Sequence, residues 1–192
     1  MTVKSFTRST ITTDYKYQDF LAGNPAVQYG SFYLIQQLSP SAVSTVTFSS
    51  IPSTYKSLQV RYNLIVSSSS SNINLQLNGD TSSANYAMHL LDGTGAAAQA
   101  NGVASGSNNY ITLTSNQTVG TYPNVGIMDS IDYTNTSKNK VVRNLFGCNQ
   151  NTSTGFVGIT SGLWLSTAAV TSLTILNAPG TMTGTISLYG VN

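Results

Sequence analysis

The sequence predicts an all-β protein, an antiparallel β-sandwich, and three observations carry that reading. Charged residues make up 7% of the 192 residues and glutamate is absent, against roughly a quarter charged in ordinary soluble domains. Helices draw on Glu, Lys, Arg and Ala to cover their solvent faces, whereas Thr, Val, Ile and Tyr suit a pleated surface and Ser, Asn and Gly its turns. Second, short segments alternate apolar and polar residues with a period of two. Third, such segments recur at short spacing with turn chemistry between them and no amphipathic helix, which is the pattern of a sandwich, with a jelly roll as first choice within that class.

The first thirty residues stand apart. Lys4, Arg8, Asp14, Lys16 and Asp19 fall among Ser, Thr and scattered aromatics with no sustained periodicity, and Gly23, Pro25 and Gly30 punctuate the end. Residues 1–30 therefore read as an N-terminal arm and residues 31–192 as the β-sandwich domain. Fully extended, an arm of about 30 residues reaches on the order of 100 Å. Termini of this kind fray unless tied down, and Phe6, Tyr15, Tyr17 and Phe20 have no local core, so these four, with Arg8 and Lys16, are the candidate contacts to a partner subunit.

From Phe32 onward strands are expected at 32–37 and 43–49, then in LQVRYNLIV, where Leu58, Val60, Tyr62, Leu64 and Val66 alternate with Gln59, Arg61 and Asn63. NINLQLNGD places Ile73, Leu75 and Leu77 inward and stops at the tight-turn signal Asn78-Gly79-Asp80. Further strands are expected at 86–91 and 110–114, with 92–109 (DGTGAAAQANGVASGSNN) between them as the longest surface loop. GIMDSIDY puts Ile127, Ile131 and Tyr133 on one face, with Asp129 sharing their parity as the one blemish. TNTSKN is a loop into KVVRNLFGC, and strands at 156–160, 162–166, 171–176 and 184–190 complete the chain. In SGLWLSTAAVTSLTIL, residues 161–176, the apolar positions form no helical stripe and the threonines are weak helix formers. LWL is one strand, STAAV a connection, and TSLTIL the next strand with Leu173 and Ile175 inward.

Composition also excludes. A net charge of +2 with scattered basic residues leaves no nucleic-acid footprint. No run of 18 apolar residues suggests a membrane span, and the N-terminus lacks the apolar core of a secretory signal, so synthesis in the cytoplasm is expected. A single cysteine, Cys148, allows no internal disulfide, and no His/Cys spacing suggests a metal or another cofactor. The sequons at Asn116, Asn135 and Asn151 are accidents of a Ser/Thr/Asn-rich chain.

Catalytic chemistry finds little to stand on. His89, the only histidine, reads as a strand-borne packing or hydrogen-bonding residue, and Asp80 and Asp92 read as turn residues. Asp129 and Asp132 point to opposite faces of a strand at an odd spacing, which argues against a glycosidase pair; Lys138, Lys140 and Arg143 across the hairpin are their expected partners. Cys148 reads as a buried unreactive thiol, and Trp164 as core or sandwich-edge packing. No catalytic residue is assigned, and the chain is not expected to be an enzyme.

YLIQQLSPSAVSTVTFSSIPSTYKSLQVR, LQLNGDTSSANYAMHLL, IMDSIDYTNTSKNKVVR, GLWLSTAAVTSLTIL and the closing ISLYGV together resemble a recurrent domain of tailed-bacteriophage virion proteins over about residues 32–191. The resemblance implies a non-enzymatic β-rich structural protein of the particle, in the head or the tail. The favoured expectation is a capsid decoration or cement protein, located in the virion, whose arm lies along the major capsid protein, another virion protein or a sister copy. A homo-oligomer follows, with a trimer the first guess and a dimer the second. The alternative is a tail or fibre module binding host surface glycan through loop 92–109.

Overall fold

In the computed structural model the described residues are 31–68, 72–114, 120–149, 151 and 155–192. The predicted arm, and with it Phe6, Arg8, Tyr15, Lys16, Tyr17 and Phe20, lies outside them, as does the sequon at Asn116. Leu34–Asn192 forms one compact unit.

The strands are β1 (Phe32–Leu38), β2 (Thr45–Phe48), β3 (Ser57–Val66), β4 (Ile73–Leu77), β5 (Tyr86–Gly93), β6 (Ala98–Val103), β7 (Ile111–Thr114), β8 (Asn124–Ile131), β9 (Lys140–Asn149), β10 (Gly155–Trp164), β11 (Leu173–Leu176) and β12 (Met182–Val191). Among the described residues there is no α-helix, only a 3-10 turn at Ser83–Asn85. Eight strands form one sheet in the order β1-β12-β3-β8-β9-β10-β5-β6, and four form a second in the order β2-β11-β4-β7. The protein is an all-β antiparallel sandwich, as its composition and periodicity predict. That strand order supports the sandwich and goes no further toward a jelly roll.

Alternation builds the core between the sheets. Leu58, Val60, Tyr62, Leu64 and Val66 of β3 face inward from the larger sheet, while Ile73, Leu75, Leu77, Ile111, Leu113, Leu173 and Ile175 face them from the smaller one. Each buried aliphatic side chain contributes about 1.5–3 kcal/mol relative to exposure. Asn144 of β9 bolts the layers together: its Nδ2 donates to the Leu113 carbonyl at 2.6 Å and lies 3.3 Å from the Tyr62 hydroxyl. Burial pushes the Tyr62 phenol well above its ordinary range, and the hydrogen bond with Asn144 offsets only part of that rise. The Asn78-Gly79 signal does make a tight turn, with φ of 53° and 66° at the two positions and Asp80 N donating to the Leu77 carbonyl at 2.9 Å.

Three expectations need correction. The strands predicted at 156–160 and 162–166 are one strand, β10, in continuous register with β9 and β5. Its Gly162 is no break: a Cβ there would lie 2.4 Å from Ile111 Cγ2 of the facing sheet, so glycine is where the two layers approach most closely. Segment 92–109 is not one loop either. β5 extends to Gly93, Thr94 N donates to the Ala97 carbonyl at 3.0 Å, and β6 returns antiparallel with Gly93 opposite Ala98 and Met88 opposite Val103. As an edge strand β6 is held by backbone bonds, so it lacks the apolar alternation that would have announced it.

The third correction concerns GIMDSIDY. Met128 and Ser130 of β8 are fully buried, whereas Ile127, Asp129 and Ile131 share the outer face and only Tyr133, in the following turn, is interior. The face assigned to the core is the solvent face.

Candidate interaction surface

The outer face of the eight-stranded sheet is built from the alternate positions of its central strands. Val125, Ile127 and Ile131 of β8, Val141 and Leu145 of β9, Val157 and Ile159 of β10 and Leu91 of β5 project from it, each 42–63% exposed. The register lines them up. Ile127 stands opposite Leu145, Leu145 opposite Ile159, and Ile159 opposite Leu91, giving an aliphatic row across four strands. Val125 stands opposite Gly147, and Gly147 opposite Val157. One step beyond the Ser130–Val142 pairing, Ile131 and Val141 close the other end.

Between these aliphatic rows runs one polar row: Tyr189, Gln59, Asp129, Arg143, Ser161, His89 and Gly102, on β12, β3, β8, β9, β10, β5 and β6. Gln59 Nε2 donates to Asp129 Oδ1 at 2.8 Å and Arg61 Nε donates to Gln59 Oε1 at 2.7 Å, with the Arg61 guanidinium 4.7 Å from the Tyr189 ring centroid. Arg143 Nη2 lies 3.5 Å from Asp129 Oδ2. Such exposed pairs contribute at most about 1 kcal/mol; their value lies in fixing where the charges stand.

Several shallow hollows mark the relief of this face. One of about 450 Å³ lies over β8, β9 and the turn between them, beside Asp129, Ile131, Lys138, Val141 and Arg143. Another of about 480 Å³ lies over β5, β6 and β10, beside His89, Leu91, Ala100, Ile159 and Ser161. Neither of these is lined by Phe, Tyr or Trp, whereas a further hollow of about 440 Å³ beside Val125, Gly147 and Val157 is lined by Phe156. The outer face of the four-stranded sheet is of a different kind: Thr47 of β2 and Thr174 of β11 meet hydroxyl to hydroxyl at 3.1 Å, with Gln76 of β4 next in register.

The residues weighed for chemistry disperse into structural roles. His89 is exposed and packs over Gly102, where a Cβ would sit 3.2 Å from its Cδ2. Asp132, in the turn with φ of 53°, pairs with Lys138, and Asp129 pairs with Arg143. Lys140 is not a carboxylate partner: it is buried on the inner face and its Nζ donates to the carbonyls of Asn135, Lys138 and Thr167. Asp92 is not a turn residue but a buried position of β5. Cys148 is half-buried. Among the described residues no group of three or more His, Cys, Asp and Glu is placed to hold a metal ion.

The aliphatic face was missed from sequence because β8 carries its more apolar side outward and buries Asn124 and Ser130 beside Met128. The signal was present in the parity of Asp129 and Arg143, charged residues that share a face with Ile127, Ile131, Val141 and Leu145. No protein-family model matches the chain, and neither a curated protein nor a solved structure matches it.

Proposed function

We propose that the chain is a structural protein of a tailed-bacteriophage particle, a head decoration or cement protein attached through residues 1–30 to the major capsid protein or a neighbouring virion protein. The observation that carries this reading is the aliphatic outer face of the larger sheet. Six of these side chains, Val125, Ile127, Leu145, Val157, Ile159 and Leu91, lie together on one side of the polar row and by their exposed fractions present on the order of 550 Å², at the upper end of the ~300–600 Å² of the largest apolar patch on a typical monomer. A face of this size on a chain with scattered charges suits contact with protein. Its shallow hollows and dispersed titratable groups give a reaction no enclosed site. The resemblance of residues 32–191 to virion domains supports the same conclusion, as does a sandwich whose second outer face is clothed in threonine and fits close neighbours.

The test is attachment and copy number. Purified full chain and a chain lacking residues 1–30 are added to particles stripped of the protein, and occupancy is counted by gel and cryo-EM. The reading predicts many copies on the head for the full chain and none for the truncated one. A handful of copies confined to the tail, or full occupancy without residues 1–30, overturns it.

A further inference from the structure

We infer that the aliphatic outer face of the eight-stranded sheet is covered by the same face of a second copy of this chain, the two related by a two-fold axis that lies in the interface, parallel to the strands and midway between β8 and β9. The inference shares with the functional reading the premise that this face is an interface, and adds what covers it.

Self-complementarity selects the partner. A two-fold contact places the same patch against itself, so every residue must suit its symmetry mate. Rotation about an axis between β8 and β9 lays β8 of one copy over β9 of the other. Each residue of β8 then meets the one that stands opposite it in the β8–β9 register. Ile127 meets Leu145, and Ile131 meets Val141. Val125 meets Gly147, a projecting side chain over a position that has none. Asp129 of each copy meets Arg143 of the other, so the acid–base step between β8 and β9 is neutralised twice, and on the flanks Ile159 meets the stem of Arg61 and Val157 meets Asn63. An in-plane axis at right angles, along the polar row, sets Asp129 on Asp129 and Arg143 on Arg143. Like-charge juxtaposition of that sort costs several kcal/mol, which selects the strand-parallel axis.

Geometry and area agree. Sheets stack face to face about 10 Å apart with strands within about 30° of parallel, and an axis along the strands gives that aligned packing. Val125, Ile127, Ile131, Val141 and Leu145, the aliphatic side chains of the two strands that the axis superposes, expose on the order of 450 Å², and the flanking positions of β3 and β10 supply the rest of the ~800 Å² per partner of a standard stable interface. A partner of strong single charge finds little here, because Asp129 and Arg143 stand side by side and Arg61 is already engaged by Gln59 and the Tyr189 ring. A second copy supplies both complements at once.

The experiment is a mixing test on the full chain by sedimentation velocity, in the absence of any particle. Wild type sediments as a dimer. Asp129→Arg sets the introduced guanidinium against Arg143 at both places in the dimer, and Arg143→Asp sets acid against acid, so each variant alone dissociates with its Kd raised roughly tenfold or more. Mixed in equal amounts the two variants form a heterodimer in which both contacts pair acid with base, and dimer returns. The intramolecular Asp129–Arg143 pair is lost in both variants and stays lost in the mixture, so recovery reports only the contact between copies. Far-UV circular dichroism spectra that match wild type certify the fold of both variants. A monomeric wild type overturns the inference, as do single variants that remain dimeric or a mixture that stays monomeric. None of these results bears on particle attachment through residues 1–30.

Discussion

The Trp164 indole donates from Nε1 to Asp80 Oδ2 at 2.7 Å, joining the end of β10 in the larger sheet to the turn that leaves β4 in the smaller one. Ser82 N and Asn85 Nδ2 donate to the same carboxylate at 2.8 Å each, and the Tyr86 hydroxyl donates to the Asp80 carbonyl at 2.9 Å. The chain's only tryptophan is thus a clasp across the sandwich, with its ring 3% exposed. Trp164→Ala is expected to cost about 3–5 kcal/mol in urea denaturation, the range for emptying a buried aromatic site. A loss below about 1 kcal/mol, the range of surface substitutions, contradicts the clasp.

The same carboxylate sets a pH dependence. Burial acts to raise Asp80, and the bonds from Trp164, Ser82 and Asn85 outweigh it, holding the group below its ordinary 3.8. Because the folded value is the lower one, the stabilisation by the ionised form is complete above the unfolded value and is lost as pH falls through the folded value. The stability difference between wild type and Asp80→Asn is therefore expected to be constant from pH 7 to 5 and to shrink below pH 3.8. Urea midpoints at pH 7, 5 and 3 measure it, and a difference that grows on acidification runs against the assignment.

Gly126 of β8 lies beneath the Tyr62 ring, where a Cβ would fall 2.1 Å from the hydroxyl oxygen. Tyr62 cannot swing aside without leaving Asn144, the bolt between the sheets. Gly126→Ala is expected to destabilise by about 1–3 kcal/mol through overpacking. Gly93→Ala, whose Cβ would meet nothing nearer than 4.0 Å, is expected to be neutral in the same melts.

Lys140 holds the β8–β9 turn and the segment after β10 by donating to three carbonyls. Lys140→Met keeps the stem and removes the donors, leaving carbonyls without their partner in a buried site. The expected cost is about 1–3 kcal/mol, read by denaturation, with hydrogen exchange accelerated across residues 132–139. Unchanged exchange there contradicts the role.

Composition and alternation made the fold class legible, and the inward face of β3 and β4 was legible residue by residue because polar residues occupy alternate positions there. β6 escaped because an edge strand held by backbone bonds needs no apolar alternation. Gly162 misleads because glycine signals a turn when read locally and a close approach when the facing Ile111 is in view. The candidate surface is written most faintly of all. In β8 the more apolar side faces out, and Asp129, the one blemish on the predicted core face, is the residue declaring that face external. Period-two reasoning finds two faces; only a charge, or the tertiary structure, says which is inside.

Whether the aliphatic face is an interface is read most directly from the solution mass of two aspartate variants by sedimentation velocity. Leu145, 55% exposed at the middle of that face, is compared with Thr47 on the threonine face of the smaller sheet. Thr47→Asp is expected to sediment like wild type at twice the 20.3 kDa chain mass, and Leu145→Asp as the single chain with a wild-type far-UV circular dichroism spectrum. Identical behaviour of the two variants contradicts an interface on the larger sheet.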